Sequence, residues 1–150
     1  MASRDFGILL GLAYQGFVAH LRADLARHGF RDIGPTVGYV LRVLVDEPMN
    51  QRQLSRRLGI TDQAIMKIID DMERRGFVVR AVDPHDARAR RLELAARGKQ
   101  LLRAARRFHA RFERALAREL GSSVATTRRV LEHIAAHAPG DPGKARLRPM

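Results

Sequence analysis

The sequence predicts a mainly α-helical chain of about six helices with one small β-hairpin. Apolar residues recur every three or four positions over most of the 150-residue chain, which is the spacing of amphipathic helices. Between about 77 and 94 the spacing changes to alternation, which is typical of strands. Hydrophobic residues make up 45% and charged residues 29%, a balance that favours a globular fold over disorder. We therefore expect one globular domain at 1–138.

The first two helices are predicted from apolar spacing and from residues that start or stop helices. A first helix at about 4–28 can end at Gly29, because glycine commonly follows the last helical turn. A second helix begins at Pro35, since proline is favoured in the first turn. Neither segment has the roughly 18 consecutive apolar residues that cross a membrane. The N-terminus also lacks the pattern of a secretory signal, so we expect a cytoplasmic protein without membrane contact.

Two short helices are predicted to meet at a sharp turn in the middle of the chain. Asn50 and Gln53 have the spacing of a capping box at the start of a third helix, which Gly59 can end. Thr61 is a cap candidate for a fourth helix that continues to about Arg75. Because one helix ends and the next begins within a few residues, the pattern indicates a helix-turn-helix.

A β-hairpin is predicted directly after these helices. The alternating segments at 77–82 and 91–94 are separated by a turn signal at 83–86, and we expect a long basic loop between the two strands. A hairpin in this position is a wing. The region of about 34–94 is therefore predicted to be a winged helix-turn-helix, a module that can present one helix to the major groove of DNA.

The rest of the chain is predicted to be helical up to a terminal tail. A long helix spans about 96–120 and a last helix about 124–138, with a glycine and two serines between them. Residues 139–150 contain three prolines and two glycines, which predicts a flexible basic tail. The first and last helices have apolar faces too wide for the winged region to cover. Exposed surfaces of that kind usually mark an interface.

Charge and composition narrow the classes of function. The formal net charge is +12, and arginine supplies 25 of the 28 basic residues. Such a field attracts polyanions, and arginine forms bidentate hydrogen bonds with phosphate and guanine. The absence of cysteine excludes disulfides and thiolate zinc sites. With no glycine-rich phosphate loop or nucleophile elbow, we expect neither an enzyme nor a cofactor.

Candidate DNA-contacting residues lie on the fourth helix. If Ile65 and Ile69 face the core, the opposite face turns outward, and the N-terminal part of such a helix usually contacts bases. Glutamine can pair bidentately with adenine, lysine can reach guanine or phosphate, and methionine can contact a thymine methyl. The candidates are Thr61, Gln63, Met66 and Lys67.

The wing supplies further candidates. Arg88 is predicted at its tip, where an arginine can enter a narrow minor groove, and Arg90 is predicted beside a phosphate. Arg80 and Asp86 are candidate supports for the wing, since Asp86 can either orient Arg88 or pair with Arg80. The alternative is that these arginines only solubilise a surface hairpin.

The stretch from 50 to 98 resembles the DNA-binding core of the MarR (multiple-antibiotic-resistance regulator) family. The matching residues are Gln53-Leu54, Leu58-Gly59-Ile60, Met72 through Arg80, Asp83 through Arg88, Leu94 and Gly98. The chain departs from the family pattern at Ala95, where threonine is usual, and at Ala87, where a second arginine is common. The resemblance implies a homodimer, with helices at about 4–28 and 96–138 interlocking, that binds a pseudo-palindromic operator on double-stranded DNA as a repressor.

The resemblance also implies an effector, since many family members lose DNA affinity when a small aromatic or phenolic ligand binds beside the dimer helices. The candidate pocket residues are Tyr14, His20, Tyr39 and Arg42. The simpler alternative assigns both tyrosines to the core and His20 to the surface. Histidine and glutamate four residues apart at His109 and Glu113, and a similar histidine pair at His133 and His137, are more typical of a solvated helix face than of a metal site.

One alternative function is left open. A basic architectural or RNA-binding protein would use the same positive charge without reading sequence.

Overall fold

The computed structural model describes residues 4–138. These residues contain six helices and one antiparallel hairpin in the predicted order, which confirms the predicted fold class. The helices are α1 (Phe6–Arg27), α2 (Pro35–Asp46), α3 (Gln51–Leu58), α4 (Asp62–Arg74), α5 (Ala96–Leu120) and α6 (Ser123–Ala136). The strands are β1 (Val78–Asp83) and β2 (Asp86–Leu94). The predicted basic tail at 139–150 lies outside the described residues.

Local hydrogen bonds fix the turn between α3 and α4. The Asn50 side chain accepts a hydrogen bond from the backbone N–H of Gln53 at 2.8 Å, and the Gln53 side chain accepts one from the Asn50 N–H at 2.9 Å. Gly59 ends α3 in the left-handed region with φ of 66°, where glycine carries no steric cost. Thr61 Oγ1 then accepts from the Ala64 N–H at 3.1 Å. The predicted capping box and threonine cap are both confirmed.

The core lies between α2, α3, α4, the hairpin and the first half of α5. Ile65, Ile69 and Met72 are fully buried, as the sequence predicts, while Ile68 is half-buried at the edge of the core. The largest of the other fully buried side chains are Val40, Leu41, Leu54, Phe77, Val78, Leu92 and Leu101. Burying one such side chain contributes about 1.5–3 kcal/mol. The winged region therefore closes around apolar residues of its own.

The hairpin differs from the prediction at its turn. Strand β2 begins at Asp86, so only Pro84 and His85 separate the strands, and the expected long basic loop is wrong. Val82 pairs with Arg90 and Asp83 with Asp86, and residues 87–89 form an irregularity on β2 between these pairs. Residues 87–89 extend β2 towards the turn without partners of their own in β1, and the paired ladder resumes at Arg90.

Helix α5 begins in direct backbone contact with the wing. A Cβ atom on Gly98 would lie 2.0 Å from the Phe77 carbonyl oxygen, so only glycine allows this approach. The same oxygen accepts a hydrogen bond from the Ala95 N–H at 3.0 Å. Ala95 is in the N-cap position of α5 and provides no side-chain cap. The helix is therefore held by packing rather than by a cap.

Helix α1 is attached to the second half of α5. The Phe17 ring lies 5.6 Å from Phe108 and 5.2 Å from Phe112, measured between centroids. The buried carboxylate of Asp24 accepts hydrogen bonds from Arg111 at 2.9 Å and from Arg27 at 2.9 Å. These contacts join the end helices to the winged region through α5.

The outer faces of α1 and α6 are apolar and exposed. Helix α6 contains no buried residue. We call the exposed apolar residues of α1 and α6, together with Leu120 at the end of α5, the end-helix patch, and they are Phe6, Ile8, Leu9, Leu12, Leu120, Val130, Leu131 and Ile134. Among residues 4–138, no helix combines the length and the apolar composition that crossing a membrane requires.

Candidate nucleic-acid interface and internal cavity

The outward face of α4 has the polarity that the sequence predicts. Gln63, Met66 and Lys67 are exposed on the side opposite the buried Ile65 and Ile69. Thr61 is also exposed at the start of the helix. Its oxygen accepts the capping hydrogen bond, so its hydroxyl hydrogen points to other acceptors. This face offers hydrogen-bond donors, a hydrogen-bond acceptor and the methyl group of Met66 in the N-terminal half of α4.

A contact between α3 and α4 fixes the angle of that helix. Ser55 Oγ donates a short hydrogen bond to the carboxylate of Asp62, in the first turn of α4. A carboxylate in this position also interacts favourably with the positive end of the helix dipole. The N-terminus of α4 is therefore held by the preceding helix and not only by its own cap.

Arg80 joins the wing to both helices. Its guanidinium donates to Glu73 at 2.7 Å, to Asp70 at 2.8 Å and to Gln51 at 3.4 Å. The hydrogen bond to Asp70 raises the pKa of Arg80, with further support from the charges of both carboxylates against the opposing effect of burial. The arginine thus neutralises two carboxylates that would otherwise repel phosphate, and it sets the position of β1 against α4.

Asp86 acts on the tip of the wing rather than on Arg80. Its carboxylate accepts the backbone N–H of Arg88 at 2.9 Å, and the alternative pairing with Arg80 is wrong because Arg80 points to α4. The Arg88 side chain is exposed two residues after the turn. Arg90 is exposed as well, and it donates to the carbonyl oxygens of Ala87 at 3.4 Å and Ala89 at 3.3 Å. The wing thus presents two guanidinium groups close to its turn.

Residues 31–89 match the model of the MarR family, and this match covers the helix-turn-helix and the wing turn. The matched segment is 59 of the 150 residues, so the similarity to the MarR family lies in the winged region. An uncharacterized HTH-type transcriptional regulator of Bacillus subtilis, YkoM, is 33% identical to it over 91 residues. That alignment covers 60% of this chain and 57% of YkoM, so the chain spans little more than half the length of this curated relative. The name of this relative describes a regulator of transcription.

Several solved structures share the fold of this chain. The reduced form of MarR from E. coli has a TM-score of 0.70 at 18% identity, over 89% of this chain and 98% of that one. A MarR-family regulator from Rhodococcus has a TM-score of 0.63 at 24% identity, over 91% and 99%. An S. aureus MepR variant bound to an oligodeoxyribonucleotide has a TM-score of 0.60 at 15% identity, over 87% and 95%. These likenesses establish the winged helix architecture.

The chain has a cavity of about 280 Å³ between α1, α2 and α5. Three of the four predicted lining residues, Tyr14, Tyr39 and Arg42, line it. His20 does not line the cavity, and its ring lies 6.0 Å from Phe112 instead. Tyr14 and His20 are six residues apart on α1, which separates them by about 120° around the helix. Helix geometry alone could therefore have excluded His20.

The polar end of the cavity includes a residue that the sequence pattern did not indicate. His109 of α5 lines the cavity, and its Nε2 lies 3.1 Å from a guanidinium nitrogen of Arg42. Burial lowers the pKa of His109, and the charge of Arg42 lowers it further, so the neutral ring accepts a hydrogen bond from Arg42. The spacing along α5 had placed His109 with Glu113 on a solvated helix face, whereas the His109 ring is half-buried. In the described part of the chain, no group of three side chains is arranged to hold a metal ion.

Proposed function

We propose that this chain is a MarR-family transcriptional regulator, which binds a pseudo-palindromic operator sequence-specifically as a homodimer and represses from it. The observation that carries the proposal is the exposed face of α4 at Gln63, Met66 and Lys67, held beside the wing by Arg80. Arg80 neutralises the carboxylates near this face and so makes close approach to phosphate favourable. The DNA-bound MepR structure supports the proposal, because it shares this fold.

The proposed contacts follow from side-chain chemistry. Gln63 would pair with adenine, Lys67 with guanine or a phosphate, and Met66 with a thymine methyl. Arg88 would enter the minor groove beside the operator half-site, with Arg90 on the phosphate backbone. Thr61 would donate its hydroxyl to a phosphate.

The end-helix patch supports the homodimer. Its residues on α1 and α6 are exposed in a single chain, and a second copy with the same patch would cover them. A two-fold arrangement places the two α4 helices about 34 Å apart, one turn of DNA. This spacing matches a pseudo-palindromic operator. We propose separately that the protein is cytoplasmic, since a regulator of this kind acts at a promoter.

The cavity supports release by a small aromatic or phenolic ligand. Its walls are largely apolar, while Arg42 and His109 provide a cationic donor and a neutral ring at one end. An aromatic ring with a carboxylate or phenolate fits this polarity. A ligand that binds one arrangement of the end helices more tightly shifts the population away from the DNA-competent state.

The test is a binding titration. The protein first selects a palindrome from a randomised duplex pool, and its affinity is then measured for that palindrome, a random duplex and a structured RNA at two salt concentrations. We expect a preference for the palindrome that survives moderate salt, since base contacts persist while phosphate contacts weaken. Equal binding to all three nucleic acids would instead support an architectural or RNA-binding protein.

An Arg88→Ala variant tests the wing. Affinity for the selected palindrome should fall about tenfold, in line with the roughly 1–3 kcal/mol of a good base contact. The thermal unfolding of the variant should remain unchanged, because Arg88 is exposed. Arg129→Ala on α6 is the matched control and should retain full affinity. An Arg88→Ala variant with normal affinity would remove the wing from the mechanism.

A further inference from the structure

Helix α5 carries a row of cations on the side opposite the core. All six are exposed, while Leu101, Leu102, Ala105 and Phe108 on the other side are buried. We call the six the α5 basic face, and they are Lys99, Arg103, Arg106, Arg107, Arg114 and Arg118. At 3.6 residues per turn they fall within an arc of about 120°, and they extend over about 29 Å of helix. The face is therefore a continuous stripe.

The charges of this face are not neutralised by carboxylates in residues 4–138. None of the ion pairs within that range involves any of the six residues. By contrast, Arg111 of the same helix pairs with Asp24. Burial lowers the pKa of Arg42, and the charge of Arg106 lowers it further, so the field of the stripe reaches into the protein. A stripe of this kind attracts an anionic partner.

The proposed homodimer would leave the stripe in solvent. The apolar side of α5 that continues into the end-helix patch is formed by Phe112, Leu116 and Leu120. At 100° per residue these positions lie about 100–180° around the helix from the centre of the α5 basic face. A partner copy seated on the apolar side therefore does not cover the arginines.

The composition of the stripe distinguishes between polyanions. The other outward positions between its cations include Ala110 and Ala117, and no aromatic residue lies on this side to stack on single-stranded bases. On the apolar side of α5 the residues of the first half are buried and Phe112 and Leu116 are half-buried, so only Leu120 is exposed and the helix has no wide apolar face to insert into a lipid surface. Arginines without aromatic or apolar neighbours suit the phosphates of a duplex.

We infer that the α5 basic face binds the phosphate backbone of duplex DNA outside the operator core, as a second and sequence-independent contact. The inference rests on the proposed function, because it is the operator complex that brings a duplex to the protein. A segment of about 29 Å of duplex carries about 17 phosphate charges, enough to engage the whole stripe. This contact would strengthen binding to any DNA without changing the choice of operator.

The test compares two fourfold variants of the full chain. The first replaces Arg103, Arg107, Arg114 and Arg118 by Gln, and the matched control replaces four exposed arginines elsewhere, namely Arg4, Arg22, Arg31 and Arg129. Affinity for a long random duplex is measured by fluorescence anisotropy between about 50 and 200 mM salt. In the first variant, we expect the slope of log K against log salt to become shallower by about 0.9 for each phosphate that the protein no longer neutralises. The affinity of this variant at low salt should fall at least tenfold, while its preference for the selected palindrome is retained.

Three outcomes would overturn the inference. The first is an equal change of slope in both variants, which would show that only net charge matters. The second and third are a loss of binding to structured RNA or to anionic phosphatidylglycerol vesicles while duplex binding is unchanged, which would assign the stripe to another polyanion. A Lys67→Gln, Arg88→Gln variant separates the two proposals. If it keeps the palindrome preference, the proposed operator contacts fail, while the slope result on the random duplex still decides the role of α5.

Discussion

The winged region and the end helices use apolar residues in opposite ways. In the winged region Leu54, Ile65 and Ile69 are each 0% exposed, whereas on α6 Leu131 is 46% and Ile134 is 43% exposed. Both regions have helices with apolar residues at helical spacing. The difference is that the winged region surrounds its apolar side chains with three helices and a hairpin, while α6 packs mainly on α5. The winged region thus buries its apolar residues within one chain, whereas the end-helix patch is left exposed.

The largest expected effect tests this contrast directly. Ile69→Ala should lower the free energy of unfolding by about 2–5 kcal/mol, because it leaves a cavity in the closed core. Ile134→Ala should instead change the concentration dependence of thermal unfolding, since it weakens an association and not an internal core. Calorimetry across a range of protein concentrations measures both effects. A concentration-independent loss in Ile134→Ala would contradict the contrast.

A second substitution tests the connection between the two regions. Gly98→Ala should cost about 3 kcal/mol, because the added methyl group would lie 2.0 Å from the backbone oxygen of Phe77. The matched control is Gly16→Ala on α1, where no atom lies within 4 Å of the added carbon. That change should be neutral or slightly stabilising, as alanine favours helix over glycine. Urea unfolding of both variants measures the difference, and equal effects would argue against the close contact.

A third prediction concerns pH in the end-helix region. Burial alone would raise the pKa of Asp24, but hydrogen bonds from Arg27 and Arg111 and the nearby charges, including His28, lower it below its ordinary value of 3.8. The carboxylate therefore stabilises the fold fully above that ordinary value, and this contribution is lost as pH falls through the lower folded value. Asp24→Asn should cost about 1–3 kcal/mol at pH 7 and progressively less in acid. Urea unfolding across pH measures this, and a difference from the parent that is constant with pH would contradict it.

The smallest expected effect is a gain in stability. Ala95→Thr should raise the free energy of unfolding by about 0.5–1 kcal/mol, because Ala95 is in an N-cap position with extended backbone and provides no side-chain cap to α5. Ala95→Val is the matched control, since it has nearly the same shape without the hydroxyl. Thermal unfolding should rise in the threonine variant alone. An equal rise in both would indicate packing instead of capping.

The features that the sequence predicted well depend on neighbours close in the chain. Asn50 and Gln53 bond to each other, and Thr61 bonds three residues ahead, so these caps are visible in the order of residues. The apolar spacing similarly placed Ile65 and Ile69 in the core. These local signals were sufficient for the helices and the turn between α3 and α4.

The features that were missed depend on contacts between distant residues. Arg80 bonds to Gln51, 29 residues away, and Arg42 meets His109 across 67 residues. No spacing rule indicates such pairs. The start of β2 was missed for a related reason, because residues 87–89 lack large apolar side chains and belong to the strand only through the pairs on either side of them, at Asp86 and Arg90. Of the four predicted cavity residues, His20 was the wrong one, and helix geometry alone could have corrected it.

The backbone contact at Gly98 makes α5 a lever. The helix has 25 residues and is about 37 Å long. Its N-terminal end is in direct backbone contact with Phe77 at the base of the hairpin, and no side chain lies between them that could adjust. A tilt of α5 by about 5° at the Gly98 contact displaces the opposite end of the helix by about 3 Å. In the proposed homodimer, a slight rotation at the interface between the two protomers would thus displace both wings. A small ligand would then need to change the arrangement of the protomers only slightly to prevent both wings from fitting an operator.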